Sequence, residues 1–233
     1  MISIGLAALA PSTGPAMHIP DGFLSAPVSI AGWVVAVVAV AFAARRAERQ
    51  MNDRAVPLMG VMAAFVFATQ MMNFPVAGGT SGHLLGGALV AILLGPWAAM
   101  IVMAAVIGLQ AVLFQDGGLV ALGANITNMG VVTVAIGYLG FRLLSPLTRG
   151  NAGYMLAAGI AAWLSVVVSS VLCAIELGVS GTSPLSVALP AMAGLHVLIG
   201  LGEAAITAAA LSFIRVTSPG LLVPSVVPPE SAS

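Results

Sequence analysis

Residues 97–114 read WAAMIVMAAVIGLQAVLF, an apolar stretch long enough to cross the hydrocarbon core of a bilayer as one helix. The whole chain has this character, because 60% of its 233 residues are hydrophobic and only 6% are charged. Soluble domains carry about 25% charged residues, so the composition excludes a water-soluble enzyme. A net charge of zero without any lysine excludes a nucleic-acid-binding surface, and the apolar content excludes a disordered chain. The sequence therefore predicts a multi-pass protein of the cell membrane.

Apolar segments of this kind recur along the chain and predict an all-α bundle of about seven transmembrane helices. The third segment is too short to span the bilayer upright. Gly95-Pro96 breaks the chain after it, so the third and fourth segments are predicted to be a short and a full helix joined by a tight turn. The seven segments are Val28–Ala44, Val56–Phe74, His83–Leu94, Trp97–Phe114, Asn125–Leu144, Ala152–Leu177 and Val187–Ile214.

The arginines predict the orientation of the bundle. With seven crossings all of them fall on one side of the membrane, which the positive-inside rule makes cytoplasmic. The N-terminus is then extracytoplasmic and the C-terminus cytoplasmic, with residues 216–233 as a proline-rich tail that we expect to be disordered. The basic residues are Arg45, Arg46, Arg49 and Arg54 after the first segment, Arg142 and Arg149 after the fifth, and Arg215 after the seventh. The opposite side carries Asp21, Asp116 and Glu176, with His18 and His83 near them.

Small residues recur at four-residue spacing in the first segment and allow another helix to approach closely. They form either a docking face for a partner subunit or a packing face within the bundle, and the alanine-rich composition favours packing. The residues are Gly32, Ala36, Ala39, Ala43 and Ala47.

Polar residues inside a membrane are costly, so each cluster of them indicates a functional site. The richest stretch runs from Gln70 to His83, where a glycine-rich loop is predicted to deliver His83 to the start of the short third helix. Such a loop lets the backbone approach a ligand closely. His18 lies on the same predicted side, in the stretch MHIPDGFL of residues 17–24.

Residues 17–24 and the stretch NFPVAGGTSGHLLGG of residues 73–87 closely resemble the CbiM/NikM family. These proteins are the substrate-binding S components of energy-coupling-factor (ECF) transporters for cobalt and nickel. The similarity continues through QDGG at 115–118, ALGANITNMG at 121–130 and HVLIGLGEAAIT at 196–207. It covers residues 17–214.

The resemblance implies a metal site made by Met17, His18 and His83. Met17 would supply a free amine, His18 its backbone amide and imidazole, and His83 the remaining ring nitrogen. Four nitrogens in a plane suit Ni²⁺ or Cu²⁺, and cobalt accepts related sites, whereas ions that prefer oxygen ligands are poorly served. By this resemblance, the Pro20-Asp21 form of the stretch 17–24 slightly favours nickel as the substrate. The alternative is cobalt, which would be taken up for cobalamin synthesis.

An internal Met17 has an amide in place of the amine that this site requires. Either translation begins at Met17, which we favour, or residues 1–16 are a leader that is removed after Gly14-Pro15-Ala16. Both alternatives leave a single transmembrane metal-binding domain of residues 17–215.

Further polar residues are expected to support the site. His196 and Glu203 are seven residues apart and share a face of the last helix, where we expect them to pair with other polar groups of the bundle. A histidine ligand usually donates its second ring N–H to such a partner. The other candidates for this support are Asn73, Asp116, Asn125 and Asn128.

The chain has no glycine-rich phosphate-binding loop followed by lysine, so we predict that it binds no ATP and is not an enzyme. Uptake against a gradient would need partners, and the resemblance implies an ECF coupling subunit (the T component), ABC ATPase subunits and a small accessory membrane subunit. The alternative is a rhomboid-like intramembrane serine protease, because residues 79–82 fit Gly-x-Ser-Gly and His196 could act as a base for Ser81. The surrounding residues favour the metal transporter.

Overall fold

A computed structural model describes residues 17–49, 55–72, 74–76, 80–218 and 220. The leader or upstream start predicted for residues 1–16, most of the tail predicted to be disordered, Arg54 and Asn73 lie outside the described residues.

The described part of the chain folds into seven helices, which confirms the all-α prediction. The sequence predicts about seven transmembrane helices, but five of the described helices are long and apolar enough to cross a membrane, namely α1, α4, α5, α6 and α7, whereas α2 and α3 are shorter. The helices are α1 Ala26–Glu48, α2 Ala55–Gln70, α3 Gly87–Leu94, α4 Pro96–Leu113, α5 Leu122–Leu147, α6 Gly150–Val179 and α7 Leu185–Thr217.

The link between α2 and α3 contains a small antiparallel hairpin, formed by β1 (Phe74–Val76) and β2 (Thr80–Gly82). The glycine-rich loop predicted here is therefore partly ordered as strands. The second predicted segment was too long, because α2 ends at Gln70 and Phe74 is already in β1.

The short third helix begins at Gly87, four residues later than the predicted start at His83. Two observations explain the delay. Gly86 has a φ of 78°, which is outside the right-handed helical region. The N–H groups of Leu85 and Gly86 donate to the Glu203 carboxylate, so these residues are held in a non-helical segment. The predicted break at Gly95-Pro96 is present, and Pro96 opens α4.

Helix α3 occupies the centre of the bundle, and nearly all of its residues are buried. Its close packing depends on glycine. A Cβ atom on Gly87 would lie 2.1 Å from Thr133 Oγ1, and one on Gly137 would lie 2.5 Å from Ala88 Cβ. Helix α5 changes its winding on the way past α3, since residues Ile126–Val132 form a π-helix between α-helical turns.

The small-residue stripe of α1 packs within the bundle, as the composition favoured. Gly32, Ala36, Ala43 and Ala47 are buried, and a Cβ atom on Gly32 would lie 2.6 Å from the backbone nitrogen of Ala124. The large side chains of α1 point outward, so its exposed surface is apolar.

The bundle has two chemically different ends. One end is marked by the segment of residues 17–25. Its Asp21 binds the chain just before α5, Gln110 near the end of α4 bonds to His18, and Thr182 between α6 and α7 bonds to Phe23. Helices α1, α5 and α7 therefore begin, and α4 and α6 end, near this segment. The far ends of α1, α5 and α7 carry Arg45, Arg46, Arg142 and Arg215. These arginines therefore lie at the end of the bundle opposite to His18.

Candidate metal-binding site

The structure brings His18 and His83 together. Their ring centroids are 4.6 Å apart, with an angle of 32° between the ring planes. Only 3% of His18 and 1% of His83 is exposed. Two imidazoles that are 65 residues apart in sequence thus share one enclosed space, which is the arrangement that joint coordination of an ion requires.

Hydrogen bonds fix which nitrogen of each ring is free. His18 Nε2 lies 3.1 Å from Gln110 Oε1, and an amide oxygen can only accept, so Nε2 carries the proton and Nδ1 the lone pair. His83 Nδ1 donates to the Leu84 carbonyl at 2.9 Å, which leaves the lone pair on Nε2. His83 Nε2 has no hydrogen-bond partner among the described residues. Both rings therefore present a free lone pair in the manner of histidine ligands.

Burial keeps both rings in the neutral form that binds metals. It lowers the pKa of His18 to about 4, against an opposing effect of the Gln110 hydrogen bond. It lowers the pKa of His83 to about 3, and the proximity of His18 adds to the shift. Both imidazoles are neutral at pH 7 and need not lose a proton before they coordinate an ion.

Asp116 is the acidic group nearest to this pair. Its Oδ1 lies 3.7 Å from His18 Nδ1, which is beyond hydrogen-bond distance. Burial raises the pKa of the Asp116 carboxyl, and nearby His83 opposes the shift. A cation between the imidazoles would find a countercharge at this position.

The segment that carries His18, residues 17–25, will be called the N-terminal strap. Asn125 binds its backbone twice, since Oδ1 accepts from Ile19 N at 2.9 Å and Nδ2 donates to Ile19 O at 3.1 Å. Gly118 N donates to the same Ile19 carbonyl at 2.9 Å. Met17 is fully buried beside these contacts. The strap is thus held against the first turn of α5 and the loop between α4 and α5.

Asp21 ties the strap to the beginning of α5. Its carboxylate accepts N–H groups from Leu119, Val120 and Ala121 at 3.1, 2.8 and 3.1 Å. Three donors just before a helix start are backbone groups that would otherwise lack partners. Thr182, in the link between α6 and α7, donates to the Phe23 carbonyl.

The segment that carries His83, residues 80–86, will be called the His83 arm. Glu203 of α7 accepts from Leu85 N at 2.9 Å and from Gly86 N at 2.6 Å. Gln70 of α2 donates from Nε2 to Leu85 O at 2.8 Å. Both side chains are buried, so the arm is fixed by polar groups inside the bundle.

The remaining predicted residues lie at different distances from this pair. Asn128 donates to Glu176 and its own carbonyl accepts from Ser169, so it joins α5 to α6 and bonds to neither imidazole. His196 is buried, and its Nδ1 donates to the Met192 carbonyl. Asn73 and the side chain of Ser81 lie outside the described residues.

Three residues of this network were not predicted in their present roles: Gln110, which was not named, Gln70, which was named only as the start of the polar stretch, and Asp21. Gln110 and Gln70 are fully buried in otherwise apolar helices, and an isolated amide in such a helix is the signal that could have identified them. Asp21 was recognised only as a charge on the predicted outer side. Its role depends on a contact about 100 residues away in sequence, which no local pattern reveals.

Comparisons with known proteins agree with this geometry. The profile of the CbiM family, described as the cobalt uptake substrate-specific transmembrane region, matches residues 18–221. The chain is 37% identical over 231 residues to the fused nickel transport protein NikMN of Rhodobacter capsulatus, covering 91% of this chain and 65% of the relative. It is 32% identical over 221 residues to the cobalt transport protein CbiM of Sorangium cellulosum, covering 88% and 94%.

A solved structure supports the same assignment. The crystal structure of a truncated transition metal transporter superposes with a TM-score of 0.80 at 33% identity, covering 85% of this chain and 98% of that one. The relatives are described as transport proteins, which favours the metal transporter over the protease alternative. The chain is therefore a multi-pass membrane protein that belongs to the CbiM family of transition-metal transport proteins.

Proposed function

We propose that this chain is the substrate-binding membrane subunit of an ECF-type importer for Ni²⁺ or Co²⁺. The observation that carries the proposal is the His18–His83 pair, with ring centroids 4.6 Å apart, both rings buried and both free lone pairs fixed by hydrogen bonds. The nickel and cobalt transport activities named for the relatives support this choice of ion.

The ion would be held by four nitrogens: the Met17 amine, the His18 amide, His18 Nδ1 and His83 Nε2. Within the described part of the chain, no three His, Cys, Asp or Glu side chains form a metal-binding group. Backbone nitrogens of the strap are therefore needed to complete the coordination. An amine, the next amide and that residue's imidazole form fused chelate rings, and the resulting plane suits Ni²⁺ and related ions.

The Met17 amine is available only if the mature chain begins there. We propose that residues 1–16 are absent from the active protein, either because translation starts at Met17 or because a leader is removed. The transmembrane metal-binding domain would then comprise residues 17–215, followed by a cytoplasmic tail of residues 216–233.

The orientation in the membrane follows from the two ends of the bundle. With the arginine end in the cytoplasm, the strap and both histidines face the extracytoplasmic side, from which the ion is taken up. The number of crossings is odd in this arrangement, so the C-terminus is cytoplasmic.

Energy must come from other subunits, since the sequence holds no ATP-binding motif. The proposed partners are the T component, ABC ATPases and a small accessory membrane subunit. Tight binding of a trace metal requires a driven release step, and we propose that the ATPases reorient this subunit so that the ion is released inward.

The proposal is tested by purifying the protein from cells grown in dilute Ni²⁺ or Co²⁺, with intact-mass measurement and metal analysis. We expect one ion per chain and a mass that lacks residues 1–16.

Variants test the ligands one by one. His18→Ala or His83→Ala should lose the ion and its uptake from dilute solution. Insertion of one residue between Met17 and His18 should have the same effect, because it enlarges a chelate ring. Ser81→Ala is the control and should bind normally. A metal-loaded protein that retains residues 1–16 would contradict the proposed ligand set.

A further inference from the structure

His196 repeats the arrangement of His83 deeper in the bundle. It is 0% exposed, and its Nδ1 donates to the Met192 carbonyl at 2.7 Å. Its Nε2, like His83 Nε2, is buried without a hydrogen-bond partner among the described residues. Buried polar atoms in folded proteins are almost always paired, so two unpaired imidazole nitrogens on neighbouring elements require an explanation.

The His83 arm lies along the buried face of α7 that contains His196. Strand β2, just before His83, packs against α7. After His83, Leu84 Cδ2 lies 3.8 Å from the position that a Cβ atom on Gly202 would take, and Glu203 binds the two residues that follow Leu84. His83 is therefore flanked on both sides by contacts with this helix.

The height of His83 along α7 can be estimated from these contacts. His196 is seven residues before Glu203 on the same face, which is about 10 Å along the helix axis. The two residues from Leu85 back to His83 cover at most about 7 Å. His83 thus lies beside α7 at a height close to that of His196. The pKa of His83 is consistent with this placement. Burial is the main cause that lowers it, and the proximity of both His18 and His196 lowers it further.

We propose that His83 and His196 form a second, weaker position for the transported metal ion, occupied when the N-terminal strap withdraws. This inference rests on the proposed function. The strap supplies three of the four nitrogens of the main site, so its withdrawal would leave the ion on His83 alone. Nε2 of His196 then provides a second imidazole, with water completing the coordination of a divalent transition ion. Release then takes place in two steps, because His83 and His196 still bind the ion after the strap has withdrawn.

The chain offers an unusually clean test, because His18, His83 and His196 are its only three histidines. Cu²⁺ serves as the probe, and pulsed electron paramagnetic resonance of the full purified protein counts the imidazoles on the ion. The wild type and His196→Asn should each show two imidazoles, from His18 and His83. His18→Ala should also show two, from His83 and His196. The double variant His18→Ala/His196→Asn should show one.

Affinities provide the second measurement. His18→Ala should bind Cu²⁺ more than about 100-fold more weakly than the wild type, since even an outer hydrogen-bond partner of a ligand is worth about 10- to 100-fold. Adding His196→Asn should weaken binding a further tenfold or so. Asparagine keeps an N–H that can donate to the Met192 carbonyl, so the fold is retained while the imidazole is lost.

The outcomes separate the two proposals. The second position does not exist if His18→Ala shows fewer than two imidazoles. The same conclusion follows if adding His196→Asn to His18→Ala leaves the residual Cu²⁺ affinity unchanged. If the wild type binds no ion, or if His18→Ala does not weaken binding, the main site and the proposed function are themselves contradicted.

Discussion

The two segments that bring the imidazoles together are held by different numbers of tethers. The N-terminal strap has several tethers: Asn125 and Gly118 bind the Ile19 backbone, and the Asp21 carboxylate accepts three successive N–H groups. The His83 arm begins in the β1–β2 hairpin, and after His83 the described residues show two buried side chains that bind it, Glu203 of α7 and Gln70 of α2. The strap therefore has many moderate tethers, whereas the arm depends mostly on a single carboxylate.

The two segments also belong to different parts of the bundle. The strap docks on the end of α4 and the beginning of α5, and the arm docks on α2 and α7. An ion bound between His18 and His83 would therefore link these two parts. Metal occupancy is in this way connected to the relative position of these helices.

The largest effect is expected where the strap meets the loop at closest range. A Cβ atom on Gly118 would lie 2.0 Å from Asp21 Oδ1 and 2.2 Å from Asp21 N, so Gly118→Ala must push the strap away. We expect a stability loss of about 1–3 kcal/mol from overpacking and a loss of most metal binding. Gly108→Ala is the matched control, since no atom lies within 4 Å of its added Cβ. Thermal unfolding and metal titration measure both effects, and normal binding by Gly118→Ala would show that the strap position is unimportant.

The arm is tested next at its carboxylate. Glu203→Ala leaves the N–H groups of Leu85 and Gly86 unpaired, at about 1–3 kcal/mol for each, and frees His83 to move. We expect metal affinity to fall about 10- to 100-fold.

Glu203→Gln should lie between Glu203→Ala and the wild type, because its one amide oxygen can replace only part of the carboxylate. Thr207→Val, one turn further along the same buried face, is the control and should bind normally. Titration of the purified variants decides the matter, and equal affinities for all four proteins would mean that the arm does not need its carboxylate.

The helices of this bundle could be predicted from the sequence because each depends on a local property, the length of an apolar run. The break between α3 and α4 was also predictable, because Gly95-Pro96 interrupts a helix. The start of α3 was predicted wrongly because it depends on Glu203, more than 100 residues away, which captures the N–H groups that a helical turn would have used.

The candidate ligands could be named from the motifs, and the structure places His18 and His83 in contact. Two tethers, Asn125 and Glu203, were expected to support the site, although their partners could not be named. Asp21, Gln70 and Gln110 were not expected as tethers, since they act on backbone or ring atoms of other segments. Composition marks such side chains as unusual in an apolar helix. It does not show which partner they bind.

Gln110 allows the two imidazoles to be compared directly. His18 owes its tautomer to this side chain, whereas His83 owes its tautomer to the Leu84 carbonyl, which no substitution removes. Gln110→Leu should free the proton of His18 to move between its ring nitrogens and weaken metal binding about tenfold. Gln110→Glu keeps an acceptor and should bind at least as well as the wild type. Nitrogen NMR of ¹⁵N-histidine in the metal-free protein should show a changed tautomer for His18 and an unchanged one for His83; an unchanged His18 would mean that another group sets its proton.

The smallest effect is expected at the outermost tether of the strap. Thr182 donates to the Phe23 carbonyl from an exposed position, so Thr182→Val removes one hydrogen bond without changing the shape of the side chain. Water can reach the freed carbonyl, which limits the cost to less than about 1 kcal/mol. The inner tethers at Ile19 are buried and keep His18 in place, so metal affinity should change by no more than about threefold. Thermal unfolding and titration of Thr182→Val beside Gly118→Ala provide the comparison. If Thr182→Val instead loses metal as severely as Gly118→Ala, the strap is held from the α6–α7 link, and the division of the site between α4–α5 and α2–α7 is wrong.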